Sequence, residues 1–512
     1  MLGTTLSIAL DGVSGIPVYV ECHIGGGLPG VKVVGLPDVS INESRDRVRA
    51  ALANSGHKWR NSKVTFNLAP AHVRKTGTSF DVAMAVAVLI AYEKIKTRQV
   101  EGTVFFGELG LDGKLRSVRG ALPALLAASR AGFRRMILPS ENRAEATIPL
   151  GDGRDMEVLC APTLQDVVAH LQGEESAVES VAVEHHHIAP SVPDLSDVRG
   201  QGVGRRALEV AAAGAHHLLF SGPPGAGKTM LASRLPGILP PLAEDEALEV
   251  TSIHSLAGMI DPSAPFCRFP PFEAPHHGAT AAAIIGGGSG LIRPGAASCA
   301  HRGVLFLDEA PEFARHVLDQ LRQPLESGSI TVHRARGVTT FPARFQLILA
   351  ANPCPCASAA GDSECVCSSI VRRRYLAKLS GPLLDRIDLT IGLLPASRHQ
   401  LLDHDTNEES SKTVLARVIE ARERAAHRWA ESGAVLNSQV PSHVLRRHWR
   451  PSGEARGILE KAYDAGLISG RGYERTLRVA WTIADLAGRG EPAYGDVAEA
   501  LGFRNRATGM AA

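Results

Sequence analysis

Apolar positions along this chain fall into two rhythms that change with position. In the first 172 residues, short apolar runs ("KVTFNLA", "GTVFFGELG", "RRMILPS") alternate with longer stretches of helical period ("FDVAMAVAVLIAYEK", "GALPALLAASRAG"). That alternation predicts an α/β or α+β domain. It returns after residue 200 in "HHLLFSG", "GVLFLDEA" and "FQLILAANP". These runs are leucine-rich and β-branched, which suits strands of a parallel sheet covered on both faces. From about Pro395 strand signals disappear, and stretches such as "KTVLARVIEARERAAHRWAES" and "YERTLRVAWTIADLAG" predict an all-helical lid. No repeat of solenoid period is visible.

The seam between the two rhythms is "GEESAVESVAVEHHHIAPSVPDLSDVRGQ", Gly173 to Gln201, which is acidic, histidine-bearing and proline-punctuated. It reads as a linker. The expected division is residues 1–172, a linker over 173–196, a core over 197–394 and a helical lid over 395–512. His185, His186 and His187 lack a cysteine or carboxylate at ligand spacing, so they are read as solvated linker rather than as a metal site.

Composition adds limits. The 512 residues, 44% hydrophobic and 21% charged, suffice for about three domains that each bury a core. The 55 basic and 53 acidic side chains leave a net charge of +2, so any polyanion must be met by local patches. No apolar run reaches the roughly 18 residues of a membrane span, and "MLGTTLSIALDGVSG" lacks the features of a secretory signal. A cytoplasmic protein is expected, without a membrane partner. Eight cysteines do not make a disulfide scaffold in so long a chain.

The strongest chemical signal is "GPPGAGKTM", residues Gly222, Pro223, Pro224, Gly225, Ala226, Gly227, Lys228, Thr229 and Met230, set between a strand and a helix. Its glycines let successive amides point at phosphate oxygens, and the helix adds its positive end. Lys228 is expected to reach the β- and γ-phosphates, and Thr229 to ligate magnesium. In "GVLFLDEA", Asp308 can hold the same Mg²⁺ and Glu309 can polarise the attacking water. Asn352, ending "LILAAN", is placed as a polar γ-phosphate sensor, although Asn-Pro also starts turns. Arg386 in "GPLLDRIDL" is flanked by carboxylates. Two readings stand for it: a surface ion pair, or a side chain that reaches a neighbouring subunit's γ-phosphate in a closed ring.

The blocks "DLSDVRGQGVGRRALEVAAAGAHHLLFSGPPGAGKTML", "FEAPHHGATAAAIIGGG", "GVLFLDEAPEF", "FPARFQLILAANPCPC", "GPLLDRIDL" and "RGYERTLRVAWTIADLAG" together resemble the ComM/YifB group of magnesium-chelatase-like AAA+ ATPases. The resemblance runs through essentially the whole chain. It implies an α/β AAA+ P-loop module with a helical lid, using ATP and Mg²⁺, assembled as a homo-hexamer. By position it makes Lys228 and Thr229 the phosphate-loop pair, Asp308 and Glu309 the magnesium and water residues, Asn352 the first sensor and Arg386 an arginine finger. Arg471 matches the second sensor, with Arg475 and Arg478 close by. The implied activity is translocation on single-stranded or branched DNA with branch migration of recombination intermediates, in a setting such as natural transformation. A chelatase-like motor that remodels a protein partner for metal insertion is the alternative, and a non-enzymatic scaffold is disfavoured because Glu309 and Arg386 are both present.

Two segments are expected to project from the core. Thr251 to Arg302 is long and rich in glycine and small residues, and "SGSITVHRARGVTTFPARF" reads as a hairpin with a basic tip. In related AAA+ proteins such elements line a pore, so the resemblance makes His333, Arg334 and Arg336 candidate DNA contacts. An exposed hairpin with solvated charges is the competing reading. His276 and His277 either touch DNA or stabilise the insert. Cys354, Cys356, Cys365 and Cys367 suit tetrahedral zinc, although C-x-C spacing is less usual and free or redox-labile thiols are the alternative. Beyond them, Arg372, Arg373, Arg374 and Lys378 beside Tyr375 are either a nucleic-acid contact or a surface charge run.

The first domain resembles the α+β proteolytic domain of Lon, most clearly in "FFGELGLDGKLRSVRGALPALLAASRAGFRRMILPSENRAE". Ser79 falls at the serine position, but the lysine position falls on Leu122. A serine hydroxyl with no base is a poor nucleophile, so a catalytically inert domain is expected. It is read as bracing the ring or binding DNA through Arg45, Arg47, Arg49, Lys58 and Arg60, whose spacing also fits an ordinary solvated face.

Overall fold

A computed structural model describes residues 1–151, 156–184, 191–288, 292–334, 337–356, 365–397, 400 and 408–505, with Arg334, Gly337, His448 and Asn505 described by backbone only. His185, His186, His187 and Arg336 lie outside the described residues.

The N-terminal region is a mixed sheet flanked by helices. Its strands are β1 (Leu2–Asp11), β2 (Ser14–Gly25), β3 (Gly30–Val34), β4 (Lys63–Ala69), β5 (Thr103–Phe105), β8 (Arg135–Pro139), β9 (Glu157–Ala161) and β10 (Glu179–Ser180), in the order β10-β9-β8-β5-β1-β2-β4-β3. A small pair, β6 (Glu108–Leu109) and β7 (Leu115–Arg116), stands apart. The long β1–β2 hairpin turns tightly at Asp11 and Ser14, through Gly12 at φ +58°. Sequence alternation had not singled this hairpin out. The Asp81–Ala91 helix is buried along its whole length, which explains why "DVAMAVAVLIA" carries no polar face.

In the second region β11 (Leu218–Ser221), β12 (Phe272–Glu273), β15 (Val304–Leu307), β18 (Gln346–Ala351) and β19 (Leu389–Gly392) form one parallel sheet ordered β12-β15-β18-β11-β19. β15 and β18 are buried at every residue, as expected for strands covered on both faces. The pair β13 (Gly286–Gly287) and β14 (Arg293–Pro294) lies between β12 and β15 in the chain, and the hairpin β16 (Ser329–Arg334) with β17 (Gly337–Pro342) between β15 and β18. Beyond residue 408 the described chain is helical and holds a tryptophan cluster. Trp429, Trp449 and Trp481 meet edge to face, and Arg428 lies 4.3 Å over Trp481 while pairing with the fully buried Asp485.

The Thr251 to Arg302 segment corrects the expectation of a free projection. It begins inside the Glu244–Ala257 helix, and Ile284, Ala297 and Ala300 are fully buried against Leu305, Leu307 and Phe313. The same helix joins the two regions: Leu248 packs with Leu122, Leu126 and Ile148, and the Gly120 N–H donates to the Ser255 carbonyl at 3.3 Å. A second contact runs from the Thr339 hydroxyl to Asp11 Oδ1 at 3.1 Å.

Candidate nucleotide site

The phosphate loop leaves the end of β11 and enters the Lys228–Ala232 helix. Gly222 is required by space, because a Cβ there would lie 2.4 Å from the Leu393 carbonyl oxygen. Gly227 is required by conformation, at φ +82°. Lys228 is curled into the loop: its Nζ donates to the carbonyls of Gly222 (2.6 Å) and Pro223 (2.9 Å) and to Asn352 Oδ1 (2.9 Å). Burial pushes the Lys228 ammonium pKa down, and Asp308 and Glu309 oppose that shift. The three groups are thus close enough to couple.

Parallel pairing of β11, β18 and β15 brings the ends of three strands side by side. Thr229 Oγ1 donates to Asp308 Oδ2 at 2.6 Å across 79 residues of sequence. Hard oxygen donors so placed fit Mg²⁺. Glu309 follows at φ +50°, an unusual conformation for a residue with a side chain, and its N–H donates to Asp308 Oδ1 at 2.9 Å. Its carboxylate lies 3.2 Å from His277 Nδ1, and His277 packs against His276 with ring centroids 4.0 Å apart and the rings tilted by 34°. Sequence left the two histidines without a place; the structure sets His277 against Glu309, just beyond the β12 strand end, with His276 beside it.

Arg386 and Arg471 are not at this cluster. The Arg386 side chain is 9% exposed, donates to the Pro382 carbonyl at 2.6 Å, pairs with Glu326, and leaves Nε without a partner. Arg471, 72% exposed, pairs with Asp385 at 2.9 Å, one residue from Arg386. Arg475 and Arg478 are committed elsewhere: Arg475 to Asp388 and the Arg386 carbonyl, Arg478 to the Val440 carbonyl. The structure thereby separates three arginines that spacing alone could not rank. Below them, burial disfavours the Asp388 carboxylate, but Arg475, His216 and His217 outweigh it and hold its pKa well below the usual carboxylate range. Burial pushes His217 down to about 4, and its Nδ1 accepts the Leu347 N–H at 3.0 Å.

An open groove of about 790 Å³ runs between Ala281, the β16 strand with His333, and Arg386. His333 is exposed on β16, and Arg334 pairs by register with Gly337 at the hairpin end. The four clustered cysteines converge: all four Sγ atoms lie within 4.8 Å of one another. Cys354 to Cys356 is 3.0 Å, Cys354 to Cys365 3.4 Å and Cys356 to Cys365 3.6 Å.

In the first region, Ser79 Oγ has no hydrogen-bond partner among the described residues, and Leu122 is fully buried against the second region. A cation overlooked in the sequence, Lys75, is fully buried, with its pKa pushed down by desolvation; its Nζ donates to the Pro70 carbonyl, not to Ser79. Arg47 is withdrawn from the candidate DNA face, because its guanidinium makes a two-pronged bond to buried Asp81 at 2.7 and 3.1 Å. Arg60 lies 4.4 Å over the Tyr92 ring.

A phosphate loop after a central strand, flanked by acidic and asparagine strand ends in a parallel sheet, is the arrangement of an AAA+ nucleotide module. Three family models match the chain: magnesium chelatase, subunit ChlI, over residues 194–401; subunit ChlI of Mg-chelatase over 20–142; and the ChlI C-terminal model over 408–504. The competence protein ComM of Haemophilus influenzae is 41% identical over 509 residues, covering 98% of this chain and 97% of that one. YifB of Salmonella typhimurium is 42% identical over 494 residues, 96% of this chain and 95% of its own. An uncharacterized protein of Mycobacterium tuberculosis is 50% identical over 505 residues, 98% of each chain. A Lon protease of Mycolicibacterium smegmatis is 27% identical over 175 residues, 33% of this chain and 22% of the protease. The chain belongs to the ComM/YifB family of magnesium-chelatase-like AAA+ proteins, with a Lon-like N-terminal region in its mixed α/β fold. No described helix is long and apolar enough to cross a membrane.

Proposed function

We propose that this chain is an ATP-driven hexameric motor that translocates on DNA and promotes branch migration of recombination intermediates. One observation carries the ring: Lys228, Thr229, Asp308, Glu309 and Asn352 converge at one pocket, whereas Arg386 and Arg471 gather at a separate acidic cluster. Charge that develops on the γ-phosphate needs cations, and this protomer's two arginines are bound elsewhere, so a neighbouring copy supplies them. In the assembled ring the guanidinium of Arg386 exchanges Glu326 for phosphate oxygens. The loop amides and Lys228 hold the β- and γ-phosphates, Thr229 and Asp308 hold Mg²⁺, Glu309 orients the attacking water and Asn352 fixes the γ-phosphate. The bound ion supplies Lewis-acid neutralisation of the phosphates.

The DNA half of the reading rests on the similarity to a competence protein and on the hairpin that carries His333, Arg334 and Arg336. Basic side chains at a ring's pore would grip phosphates without regard to base sequence. The ChlI family models favour one second reading, a motor that remodels a protein partner for metal insertion. We further assign zinc to the four cysteines: a tetrahedron of Zn–S bonds of about 2.3 Å sets its sulfurs roughly 3.8 Å apart, near the spacing found here.

The test is complementation. Glu309→Gln and Arg386→Ala proteins should each lack turnover, and mixing them should restore part of it, because some interfaces then hold an intact Glu309 facing an intact Arg386. No recovery in co-assembled rings overturns the shared site. Stimulation of turnover by branched DNA, lost in Arg334→Ala/Arg336→Ala, supports the DNA motor; stimulation only by a protein partner supports the second reading.

A further inference from the structure

The cysteine cluster sits at the junction of two elements that meet nowhere else in sequence. Cys354 is two residues beyond Asn352 and only 3% exposed, so the turn that leaves β18 carries the γ-phosphate sensor and a buried thiol together. Cys367 precedes Ser368, whose hydroxyl caps the Ser369–Leu376 helix by accepting the Val371 N–H at 3.4 Å. That helix reaches the other side of the pocket. Tyr375 is buried beside Glu312, Lys378 lies 3.6 Å from Glu312, and Glu312 closes the short turn that begins at Glu309. The chain therefore frames the catalytic carboxylate and the sensor with one helix, and the four sulfurs are the joint.

Ordinary packing does not account for the joint. Cys356 is exposed and Cys365 and Cys367 are partly so, which removes burial of small apolar side chains as the reason for their convergence. Four sulfurs within 4.8 Å, none in a disulfide, form the donor set of a tetrahedral thiolate site, in which a shared cation would offset the repulsion of the deprotonated sulfurs.

We propose that a zinc ion bound by Cys354, Cys356, Cys365 and Cys367 fixes the position of Asn352 against Lys228, so that the metal is a positioning element for ATP turnover and not only a staple of a surface knob. This rests on the zinc assignment above. Asn352 Oδ1 is held 2.9 Å from Lys228 Nζ, and the turn with Cys354 and Cys356 follows it directly, so the metal would fasten that turn to the start of the Ser369–Leu376 helix. Loss of the metal would let that turn and its sensor shift while the phosphate loop, built on β11, keeps its shape.

The experiment uses the full chain purified under reducing conditions. Metal analysis should give one zinc per chain, lost in Cys365→Ser and Cys367→Ser. Stripping the wild type with a chelator should lower kcat for ATP about tenfold to a hundredfold, the scale of a misplaced reacting geometry. Affinity for a fluorescent ADP analogue should stay within about twofold, since ADP has no γ-phosphate for Asn352 to touch. Added Zn²⁺ should restore kcat in the stripped wild type and not in either variant. A freshly purified wild type without metal overturns the zinc assignment. Zinc present, with kcat unchanged after stripping, overturns the positioning role and leaves that assignment standing. Loss of ADP affinity and of the thermal unfolding transition together with kcat also overturns it, because the metal would then hold the whole module.

Discussion

Two turns of this molecule present chemistry-bearing side chains at the start of a helix, and only one has company. At the phosphate loop, Lys228 and Thr229 meet Asn352 and Asp308, which lie 124 and 79 residues away in sequence. At Ser79 the hydroxyl has no partner among the described residues, Leu122 is buried against the second region, and Lys75 is tied to the Pro70 carbonyl. Yet the second turn is no less ordered. Its polar groups are spent on structure: Asp81 is fully buried and held by Arg47 and by the Leu109 N–H at 3.2 Å. The difference shows that a reactive residue type at a strand-to-helix turn defines a site only where other strands deliver complementary groups to the same point.

The sharpest way to break this comparison is at the first turn. Glu309→Gln should lower ATP turnover by on the order of 10³ while nucleotide still binds, measured by steady-state hydrolysis and by an ADP-analogue titration. At the second turn the large effect should fall on stability. Arg47→Ala leaves the Asp81 carboxylate buried and unpaired, so unfolding of the N-terminal region should be easier by about 3–5 kcal/mol in urea. Turnover should be much less affected than in Glu309→Gln.

A smaller effect comes from the sheet beneath the nucleotide pocket. His217 stays neutral in the fold down to about pH 4, whereas unfolded histidine takes up a proton near pH 6.5. Between those values the unfolded chain binds more protons, so stability falls as pH drops through that window, by on the order of 2 kcal/mol. Asp388 acts only lower down: its depressed carboxyl contributes stability above the unfolded carboxylate pKa, which is lost as the pH falls below about 4. Urea midpoints at pH 7 and pH 5 check this, and His217→Asn, which keeps an acceptor for the Leu347 N–H, should flatten the difference. The smallest effect expected is at Ser79. Ser79→Ala should change stability by less than about 0.5 kcal/mol and leave turnover unaltered; a casein-cleaving activity abolished by this substitution would end the view that the turn is idle.

Legibility in the sequence followed locality. The phosphate loop, Asp308, Glu309 and Asn352 each sit in a contiguous run whose apolar strand announces them, and parallel pairing of those strands brings them together. The hairpin at β16 and β17 was equally legible, from β-branched runs flanking a short polar tip. What sequence missed depends on distant partners. Arg47 looked like a solvated face because Asp81, 34 residues away, carries no signal of burial until the helix around it is seen to be apolar on every side. Arg471, Arg475 and Arg478 share one helix period, and only their carbonyl and carboxylate partners tell them apart. The small-residue insert looked loose because alanine and glycine give no strong apolar period, although Ile284 anchors it in the core.

The contact between the hairpin and the N-terminal hairpin turn has a mechanical corollary. Thr339 is bonded to Asp11, and a Cβ at Gly12 would stand 2.7 Å from the Thr340 carbonyl oxygen, so the two backbones touch with no cushion of side chain between them. In the proposed ring, a stroke of the hairpin along a central channel would press directly on the end of the β1–β2 hairpin, in the middle of a broad sheet. On the motor reading proposed above, the Lon-like region would serve as an anvil: it would take the recoil of each stroke and set how far the hairpin can travel.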